Sequence, residues 1–378
     1  MKFFHLSDLH LGKRVNEFSM LDDQRHILME IVRHAKAEKS GAVLISGDIY
    51  DKSVPSVEAV QLLDRFLVWL NEMDIATFMI AGNHDSVERV AFASSLLQKS
   101  NVHISQVYNG TMTPISLRDD FGEINVWLLP YLKPSSVRHY FHNNDIVTYS
   151  DALAVAIGNT NIDTTSRNII LAHQFITGAI TSESEELSVG GSENVDASLF
   201  DPFDYVALGH MHRPQHIGKE TIRYCGTPLK YSFSEINHSK SITVLEMNEK
   251  GKVRISEIPL VPSRELREVR GSYAEITERK HYFGTNTDDY VHVILTDEED
   301  EPEALMKLRT IYPNLMRLDY DNKRTQTSIS IDGASSLDKK SPVELFGELY
   351  ELQNGQPLNS TQEKYVFDLF NDIWEVNA

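Results

Sequence analysis

The chain has 378 residues, of which 41% are hydrophobic and 24% are charged. This composition is ordinary for a globular protein and excludes a mostly disordered, collagen-like or coiled-coil chain. The formal net charge is −19, and the residues before and after position 260 are both acidic overall. Neither part has the composition of a basic nucleic-acid-binding module, so a polyanionic substrate would have to be attracted locally.

The cysteine content and hydropathy of the chain indicate its cellular compartment. Cys225 is the single cysteine, which excludes an intramolecular disulfide and a thiolate metal cluster and agrees with a reducing environment. The amino terminus reaches Asp8 before a signal-peptide apolar region could form, and no apolar run of about eighteen residues occurs. We therefore expect a cytoplasmic protein that does not enter a membrane.

Short apolar runs of strand length dominate the first two thirds of the chain. They occupy residues 3–6, 43–45, 78–80, 126–129, 169–171 and 205–208. A helical pattern lies between two of these runs, at 57–70, with apolar residues at Val60, Leu63, Leu67 and Leu70. Strands that alternate with helices predict a layered α/β domain with its active site at the strand ends. The polar segments 132–166 and 178–203 are expected to cover that edge as loops or short helices.

Five of the six runs lead into polar residues that can bind metal ions. These residues are Asp8 and His10, Asp48, Asn83 with His84 and Asp85, His173, and His210 with His212. Two divalent cations about 3.5 to 4 Å apart need a bridging carboxylate and further nitrogen and oxygen ligands, and this arrangement hydrolyses phosphoesters. Asp-x-His alone is a weak signal, but Gly-Asn-His-Asp directly after an apolar strand is much stronger. The full ordered set predicts a two-metal phosphoesterase.

The ordered motifs Asp-x-His, Gly-Asp, Gly-Asn-His-Asp, His and Gly-His-x-His resemble the calcineurin-like metallophosphoesterase superfamily. Within it, the chain is similar to the bacterial Mre-type DNA-repair nucleases in four segments. These are residues 129–134, 172–175, 203–214 and 226–235. The resemblance covers residues 1–260 and extends to the remainder in general layout. It implies β-sheets flanked by helices, a small α/β capping domain and a two-helix tail.

The resemblance also implies residue roles. One ion would be held by Asp8, His10, Asp48 and His212, and the other by Asp48, Asn83, His173 and His210, with Asp48 as the bridge. Oxygen and imidazole ligands without thiolate suit Mn²⁺, with Mg²⁺ and Fe²⁺ as alternatives. His84 resembles the catalytic histidine of the family that is not a ligand. Asp51 and Asp85 are expected to orient His84 or ligand side chains, although some relatives carry histidine at the position of Asp51.

Several other polar residues near the motifs can be assigned either of two roles. Lys13, Arg14, Lys52, Arg89, Lys133 and Arg213 are candidate phosphate contacts or ordinary solvated and ion-paired side chains. His5 lies within an apolar strand, so it is predicted to be a core histidine and not a ligand.

The predicted organisation is a nuclease domain at 1–260, a capping domain at 264–335 and a helical partner-binding segment at 341–378. Capping boxes at Ser341 and Ser360 predict the starts of two tail helices. The apolar faces of these helices either pack back on the cap or dock onto a helix of a partner.

By resemblance, the chain is expected to be a Mn²⁺-dependent DNA nuclease associated with the nucleoid. The implied activities are 3′–5′ double-strand exonuclease and single-strand or hairpin endonuclease, used in DNA repair, recombination and replication. Two alternatives are a metallophosphatase or small-molecule phosphodiesterase on the same site and a non-catalytic scaffold. Every expected ligand type is present, which counts against the scaffold.

The sequence and the resemblance also imply protein partners. The chain lacks a Gly-x-x-x-x-Gly-Lys-Ser/Thr loop, so ATP-driven action would need a separate subunit, which the resemblance implies is a coiled-coil ATPase. Helices at 57–70 and 87–97 are expected to expose Phe66, Leu67, Leu96 and Leu97 as a homodimer interface, giving a heterotetramer with two ATPase subunits. The charge of −19 predicts weak DNA binding by the isolated chain.

Overall fold

The computed structural model describes residues 1–142, 145–185, 193–326 and 342–375. The chain divides into two compact units, Met1–Glu265 and Leu266–Ala378. Among the described residues, no helix is both long enough and apolar enough to cross a membrane.

The first unit alternates strands and helices. Its strands are β1 (Lys2–Leu6), β2 (Arg14–Val15), β3 (Phe18–Ser19), β4 (Ala42–Ser46), β5 (Ala76–Ile80), β6 (Val102–Ile104), β7 (Ile115–Asp119), β8 (Gly122–Leu128), β9 (Arg167–His173), β10 (Tyr205–Gly209), β11 (Gln215–Ile217), β12 (Lys219–Tyr224), β13 (Ser241–Met247) and β14 (Val253–Pro259). Its helices are α1 (Leu21–Ala37), α2 (Val57–Asn71), α3 (Val87–Val90), α4 (Ser94–Leu97), α5 (Pro134–Phe141) and α6 (Tyr149–Gly158). All six predicted apolar runs lie in or directly at the end of these strands.

Two six-stranded sheets form the centre of this unit. The first has the order β14-β13-β1-β4-β5-β6, and the second has the order β11-β12-β10-β9-β8-β7. Strands β1, β4, β5 and β6 run parallel, as do β8, β9, β10 and β12. One core cluster joins buried side chains of both sheets, among them Phe3, Phe78, Ile169 and Tyr205. Strands buried on both faces read as continuous apolar runs, which is why the sequence shows them clearly.

Helices cover the outer faces of the two sheets. Helix α2 packs against β5 and also contacts α1. On the second sheet, α6 contributes Leu153 and Ile157 to a core cluster that includes Trp127. The predicted layered α/β fold with helices flanking the sheets is confirmed.

Two helix predictions differ from the structure. The buried face of α2 carries Leu62, Leu63, Phe66 and Leu70, so Phe66 is not exposed as predicted, whereas Val60 is. The charged residues of this helix lie on the opposite, exposed face, so its helical periodicity places Phe66 in the core. The predicted helix at 87–97 is two short helices, α3 and α4, separated where Ala93 adopts a left-handed conformation.

The second unit contains a three-stranded parallel sheet, with order β15-β16-β17, and flanking helices. In chain order its elements are β15 (Leu266–Gly271), α7 (Tyr273–Thr277), α8 (Arg279–Tyr282), β16 (Tyr290–Leu295), α9 (Ala304–Arg309), β17 (Leu315–Tyr320), α10 (Lys323–Gln326), α11 (Pro342–Asn354) and α12 (Ser360–Glu375). Val291, Val293 and Leu308 belong to its own core cluster, so this unit has an independent hydrophobic centre.

The two tail helices contact each other. The rings of Phe346 and Phe370 lie edge to face, 6.1 Å apart. The cap of α12 is one residue earlier than predicted, because Asn359 accepts the backbone N–H groups of Thr361 and Gln362 and Gln362 accepts the N–H of Asn359. This exchange is a capping box shifted by one position. The other predicted cap, Ser341, lies outside the described residues.

Candidate metal centre

The predicted metal-binding residues converge where the carboxyl ends of the two central sheets meet. Asp8 and His10 follow β1, Asp48 follows β4, and Asn83 and His84 follow β5, all from the first sheet. The second sheet contributes His173 at the end of β9 and His210 and His212 just after β10. The structure thus brings together all seven predicted ligands, and the loops that carry them are hydrogen-bonded to one another. For example, the His210 N–H donates to both carboxylate oxygens of Asp8.

The loops that carry these residues hold unusual backbone conformations. Positive φ angles occur at Asp8 (51°), His10 (43°), Asp48 (47°) and His210 (101°). Asp and His tolerate the left-handed region better than most residues, but the conformation still costs free energy. Such strain concentrates at functional sites, where surrounding packing maintains it. Here the hydrogen bond from Asp8 N–H to the Gly47 carbonyl, at 3.0 Å, is part of that support.

Two glycines make the close approach of the loops possible. A Cβ on Gly82 would overlap Oδ1 of Asp48, and a Cβ on Gly209 would overlap the carbonyl of Ser46. Neither glycine has a positive φ, so their role here is to leave space. Any larger side chain at these positions would displace Asp48 or the strand that precedes it.

Both ring nitrogens of His173 face oxygen acceptors. Its Nδ1 lies 2.8 Å from the Ser46 carbonyl, which only accepts, so Nδ1 carries a proton. The other nitrogen, Nε2, faces two oxygen acceptors, Oδ1 of Asn83 at 2.9 Å and Oδ2 of Asp48 at 3.4 Å. In the neutral imidazole these three atoms would all present lone pairs to one another. A proton on Nε2, or a metal cation among the three atoms, removes the conflict.

At the opposite end of the centre, near His10 and His212, polar atoms also face one another. His10 Nε2 lies 3.2 Å from His212 Nε2, and within the described residues the buried Nδ1 of His10 has no hydrogen-bond partner. Three groups have ligand atoms within 4.8 Å of one another: Asp8 with His10 and His212, Asp8 with Asp48 and His173, and His10 with Asp48 and His84. A set of carboxylate, imidazole and amide donors without thiolate fits Mn²⁺ and similar divalent ions.

The titration properties of the buried residues reflect this crowding. Burial raises the pKa of Asp8 to about 6 and lowers the pKa of His210 to about 3. Burial alone would also lower the pKa of His173, but the Asp48 carboxylate raises it to about 9. Burial would raise the pKa of Asp48, yet the neighbouring imidazoles hold it well below its usual range. The field between Asp48 and His173 therefore favours positive charge.

Asp85 connects two of the site loops. Its carboxylate accepts backbone N–H groups from Ile49, Tyr50 and Gly82, at 2.9 to 3.0 Å. It thus fixes the loop after β4 against the loop after β5, and among the hydrogen bonds of the described residues none joins it to the His84 side chain. Burial and the Asp48 charge raise the pKa of Asp85 to about 6.

His84 is the histidine of the group that reaches the surface, with 17% of its side chain exposed. Its Nδ1 donates to the backbone carbonyl of Asp51 at 3.1 Å, and Nε2 lies 3.9 Å from Oδ2 of Asp48. The Asp51 carboxylate instead pairs with Lys13, 2.8 Å away. The main chain of Asp51, and not its side chain, therefore orients His84.

Sequence reasoning missed the residues that support His212. Its Nδ1 lies 2.8 Å from Ser184 Oγ and 3.2 Å from Oε1 of the fully buried Glu235, and its N–H donates to Glu185. Lys240 Nζ pairs with the other Glu235 oxygen at 2.6 Å. Glu235 lies in the segment 226–235 that carries the family resemblance, but no ligand-type spacing links it to the metal motifs.

The predicted DNA-contacting side chains differ in exposure and in ion pairing. Arg14 and Lys52 line a groove of about 480 Å³ together with Asp51 and Ser56. Arg89 is exposed and donates to the carbonyl of Ser53 at 2.6 Å. Lys13 is neutralised by Asp51, whereas Lys133 and Arg213 are exposed. His5 is a buried core histidine, as predicted, hydrogen-bonded to the Tyr205 hydroxyl at 3.0 Å.

Comparison with known proteins agrees with a phosphoesterase site. The Calcineurin-like phosphoesterase family matches residues 1–214, and the family described as Type 5 capsule protein repressor C-terminal domain matches residues 262–354. Among solved structures, a dimetal phosphatase from Danio rerio is 11% identical with a TM-score of 0.40, over 70% of this chain and 99% of that chain. Similarity at that level adds nothing to the family assignment.

Curated relatives extend the match to the whole chain. It is 34% identical over 380 residues to the SbcD subunit of nuclease SbcCD from Staphylococcus epidermidis, and the alignment covers 99% of both chains. The SbcD subunit of nuclease SbcCD from Staphylococcus saprophyticus is 32% identical over 379 residues, again with 99% of each chain covered. The chain belongs to the calcineurin-like phosphoesterases and, within them, to the SbcD family of nuclease subunits.

Proposed function

We propose that this chain is the nuclease subunit of a DNA end-processing complex and cleaves phosphodiester bonds at a two-metal centre. The observation that carries the proposal is the convergence of carboxylate, amide and imidazole donors from five strand ends, in a chain related over its full length to a nuclease subunit. The proposed activities are 3′–5′ exonuclease on double strands and endonuclease on single strands and hairpins. That full-length relationship disfavours a phosphatase or small-molecule phosphodiesterase.

The metal ligands proposed for one ion are Asp8, His10, Asp48 and His212, and those for the second are Asp48, Asn83, His173 and His210. We propose Mn²⁺ in both positions, with Mg²⁺ and Fe²⁺ as alternatives, because the donors are oxygen and imidazole. Bound divalent ions supply Lewis-acid activation of the scissile phosphate and of the attacking water. The proton on Nδ1 of His173 is held by Ser46, which keeps Nε2 available as a ligand.

His84 is proposed to act on the departing oxygen. Its Nδ1 is held by the Asp51 carbonyl, Nε2 lies 3.9 Å from Oδ2 of Asp48, and 17% of the side chain is exposed. A partly exposed histidine at the edge of a buried ligand cluster is placed to meet the substrate. The ring lies edge to face with His10, 4.9 Å between centroids, which restricts its rotation.

DNA is proposed to approach along the groove that Arg14 and Lys52 line, with Arg89 nearby as a further phosphate contact. Lys13 contributes less, because Asp51 pairs with it. The overall charge of −19 opposes binding of a polyanion, so we expect the isolated chain to bind DNA weakly and with strong salt dependence.

The proposed partner is a coiled-coil ATPase that docks on α11 and α12. These helices enclose an apolar groove of about 430 Å³ whose lining includes Phe346, Tyr350, Tyr365 and Leu369. Large apolar side chains left partly exposed in this way match a groove for a partner helix. We further propose the nuclease domain at 1–260, the cap at 264–335, the docking segment at 341–378 and a cytoplasmic, nucleoid-associated complex.

A homodimer is proposed through the exposed side of α2, α3 and α4. Val57, Val60, Phe92 and Leu96 are between 44% and 80% exposed there. An apolar patch of this kind on an otherwise acidic chain marks an interaction surface. Two copies of this chain and two ATPase subunits would then form the complex.

The deciding experiment compares Mn²⁺-dependent cleavage of an end-labelled hairpin DNA with that of an aryl phosphodiester, using the full chain and His84→Ala. Because His84 lies outside the proposed ligand sets, the variant should keep its bound metal and lose DNA cleavage at least a hundredfold. Turnover of the aryl ester with no DNA cleavage, even with the ATPase partner added, would overturn the nuclease proposal and favour a small-molecule phosphodiesterase.

A further inference from the structure

The loop that carries His10 is held by two buried polar side chains, Gln24 and Tyr231. Gln24 Nε2 donates to the His10 carbonyl at 2.7 Å, and Gln24 Oε1 accepts the N–H of Gly12 at 3.0 Å. The Tyr231 hydroxyl donates to the Leu9 carbonyl at 2.6 Å and accepts from Gln24 Nε2 at 3.0 Å. Gln24 is 1% exposed and Tyr231 is 4% exposed, so these bonds are shielded from water.

The partners of Gln24 fix the orientation of its amide. The N–H of Gly12 only donates and the carbonyl of His10 only accepts, so a reversed amide would lose both bonds. The Tyr231 ring adds packing, because it lies edge to face with His10, 5.8 Å between centroids, and with His212, 6.4 Å between centroids. Gln24 and Tyr231 therefore restrain both the backbone of the loop and the rings of two proposed ligands.

Asp23, the neighbour of Gln24 in α1, binds the end of the first unit. Its side chain is 1% exposed and accepts from Ser263 Oγ at 2.6 Å and from Nη1 of Arg264 at 3.0 Å. A buried carboxylate is stable only when it is paired, so these bonds hold residues 263–264 against the start of α1. Because Asp23 and Gln24 are consecutive residues of one helix, a displacement of the first also displaces the second.

Lys230, the neighbour of Tyr231, also binds the end of the first unit. Its Nζ lies 2.7 Å from Oε1 of Glu265. Glu265 is the last residue of the first unit, and the chain continues directly into β15. Residues 263–265 and the loop of His10 are therefore linked twice, each time through two consecutive residues.

We propose that Gln24 and Tyr231 are positioning residues for His10. Their neighbours couple this loop to residues 263–265, so the affinity for the ion that His10 is proposed to bind depends on how firmly that segment is held. The inference deepens the proposed function and rests on it, because His10 is a proposed ligand. His10 belongs to one of the two proposed ligand sets, so the effect is confined to one ion.

The test titrates Mn²⁺ into the full chain by calorimetry. Tyr231→Phe removes the hydroxyl but keeps the ring, and it should weaken one of two bound Mn²⁺ ions about tenfold while the other changes by less than about twofold. Arg264→Gln changes no residue that contacts the loop, and it should weaken the same ion about fivefold. The Mn²⁺ concentration for half-maximal DNA cleavage should rise by the same factors.

A combined variant tests the route of the coupling. Gln24→Met cuts the connection between Asp23 and the loop of His10. In that background, Arg264→Gln should add less than about twofold to the loss of Mn²⁺ affinity, because its effect passes through the removed amide. Fully additive losses would show that Arg264 acts by another route and would overturn the coupling.

Arg167→Gln is the control for general loss of stability. It breaks another buried ion pair, with Asp119, at the start of β9 and not at the strand end that carries His173. This variant should lower the thermal midpoint and leave the affinity for both Mn²⁺ ions unchanged.

Three results would overturn the proposal. They are unchanged Mn²⁺ affinity in Tyr231→Phe and Arg264→Gln, equal weakening of both ions, and a chain that binds no Mn²⁺, which would also contradict the metal centre. A chain that shows the expected changes in Mn²⁺ affinity but leaves DNA intact would support this inference and contradict the proposed nuclease activity alone.

Discussion

The buried carboxylate of Glu235 lies 3.2 Å from Nδ1 of His212 and fixes the ring from inside the protein. A carboxylate only accepts, so Nδ1 of His212 carries its proton and Nε2 keeps a lone pair directed into the metal centre. Burial would raise the pKa of Glu235, but the bonds from His212 and Lys240 hold it well below its usual range. The ionised carboxylate is thus a positioning group for a proposed metal ligand.

Glu235→Gln should lower the affinity for Mn²⁺ about 10- to 100-fold, because the His212 ring loses its charged acceptor. The variant also leaves Lys240 as an unpaired buried charge, so unfolding should become easier by about 3 to 5 kcal/mol. Calorimetric Mn²⁺ titration and urea unfolding in EDTA measure the two effects.

A double variant distinguishes orientation of His212 from simple loss of stability. Glu235→Gln with Lys240→Met removes both buried charges and should recover most of the stability but not the Mn²⁺ affinity. Glu38→Gln is the control, because Glu38 forms an exposed ion pair with Lys2 at 2.7 Å. Full Mn²⁺ affinity in the double variant would show that Glu235 acts on stability alone.

Gly82→Ala should remove metal binding while the fold persists. The new Cβ would overlap the Asp48 carboxylate oxygen that accepts the His84 N–H, so the proposed bridging ligand must move. We expect Mn²⁺ content to fall below one ion per chain and DNA cleavage to fall at least a hundredfold. Metal analysis after gel filtration and the thermal midpoint in EDTA measure the outcome.

The matched control is Gly158→Ala at the end of α6, where an added Cβ meets no atom within 4 Å. This change should leave metal content and cleavage at the level of the unmodified chain. Two bound Mn²⁺ ions in Gly82→Ala would contradict the assignment of Asp48 as the bridge.

The convergence of the candidate ligands could be predicted from sequence because each of them lies at or just after the end of an apolar strand, and the fold brings parallel strand ends together. Glu235 could not be predicted in this way, since it contacts His212 from a distant 3₁₀ turn that carries no strand or spacing signal. The prediction that Phe66 is exposed was wrong although the pattern of α2 is informative, because the charged residues of that helix lie on the face opposite Phe66.

Low pH should lower the free energy of unfolding of the first unit, because Asp119 becomes protonated. Arg167 is almost fully buried and donates to both Asp119 oxygens, at 2.5 and 3.1 Å. These bonds hold the pKa of Asp119 far below its usual range. A lowered folded-state pKa means that the stabilisation is complete above the unfolded value of about 3.9 and is lost as pH falls below it.

Asp119→Asn should therefore destabilise the chain by about 3 kcal/mol at pH 7, because Arg167 keeps its charge without a charged partner. The difference from the unmodified chain should stay constant from pH 7 to pH 5 and shrink below pH 4. Urea unfolding in EDTA at pH 7, 5 and 3.5 measures it. A difference that does not change with pH would show that hydrogen-bond geometry, and not charge, carries the effect.

Leu369→Asp should abolish docking of the proposed coiled-coil ATPase while the isolated chain keeps its nuclease activity. Leu369 is 45% exposed and lines the apolar groove between α11 and α12, so a charge there would oppose burial of a partner helix. Phe367 is 53% exposed but is not part of the groove, which makes Phe367→Asp the matched control. Calorimetry with the ATPase partner should show at least a hundredfold loss of affinity for Leu369→Asp and less than threefold for Phe367→Asp. Equal losses in both variants would place the interface on the outer face of α12 instead of the groove.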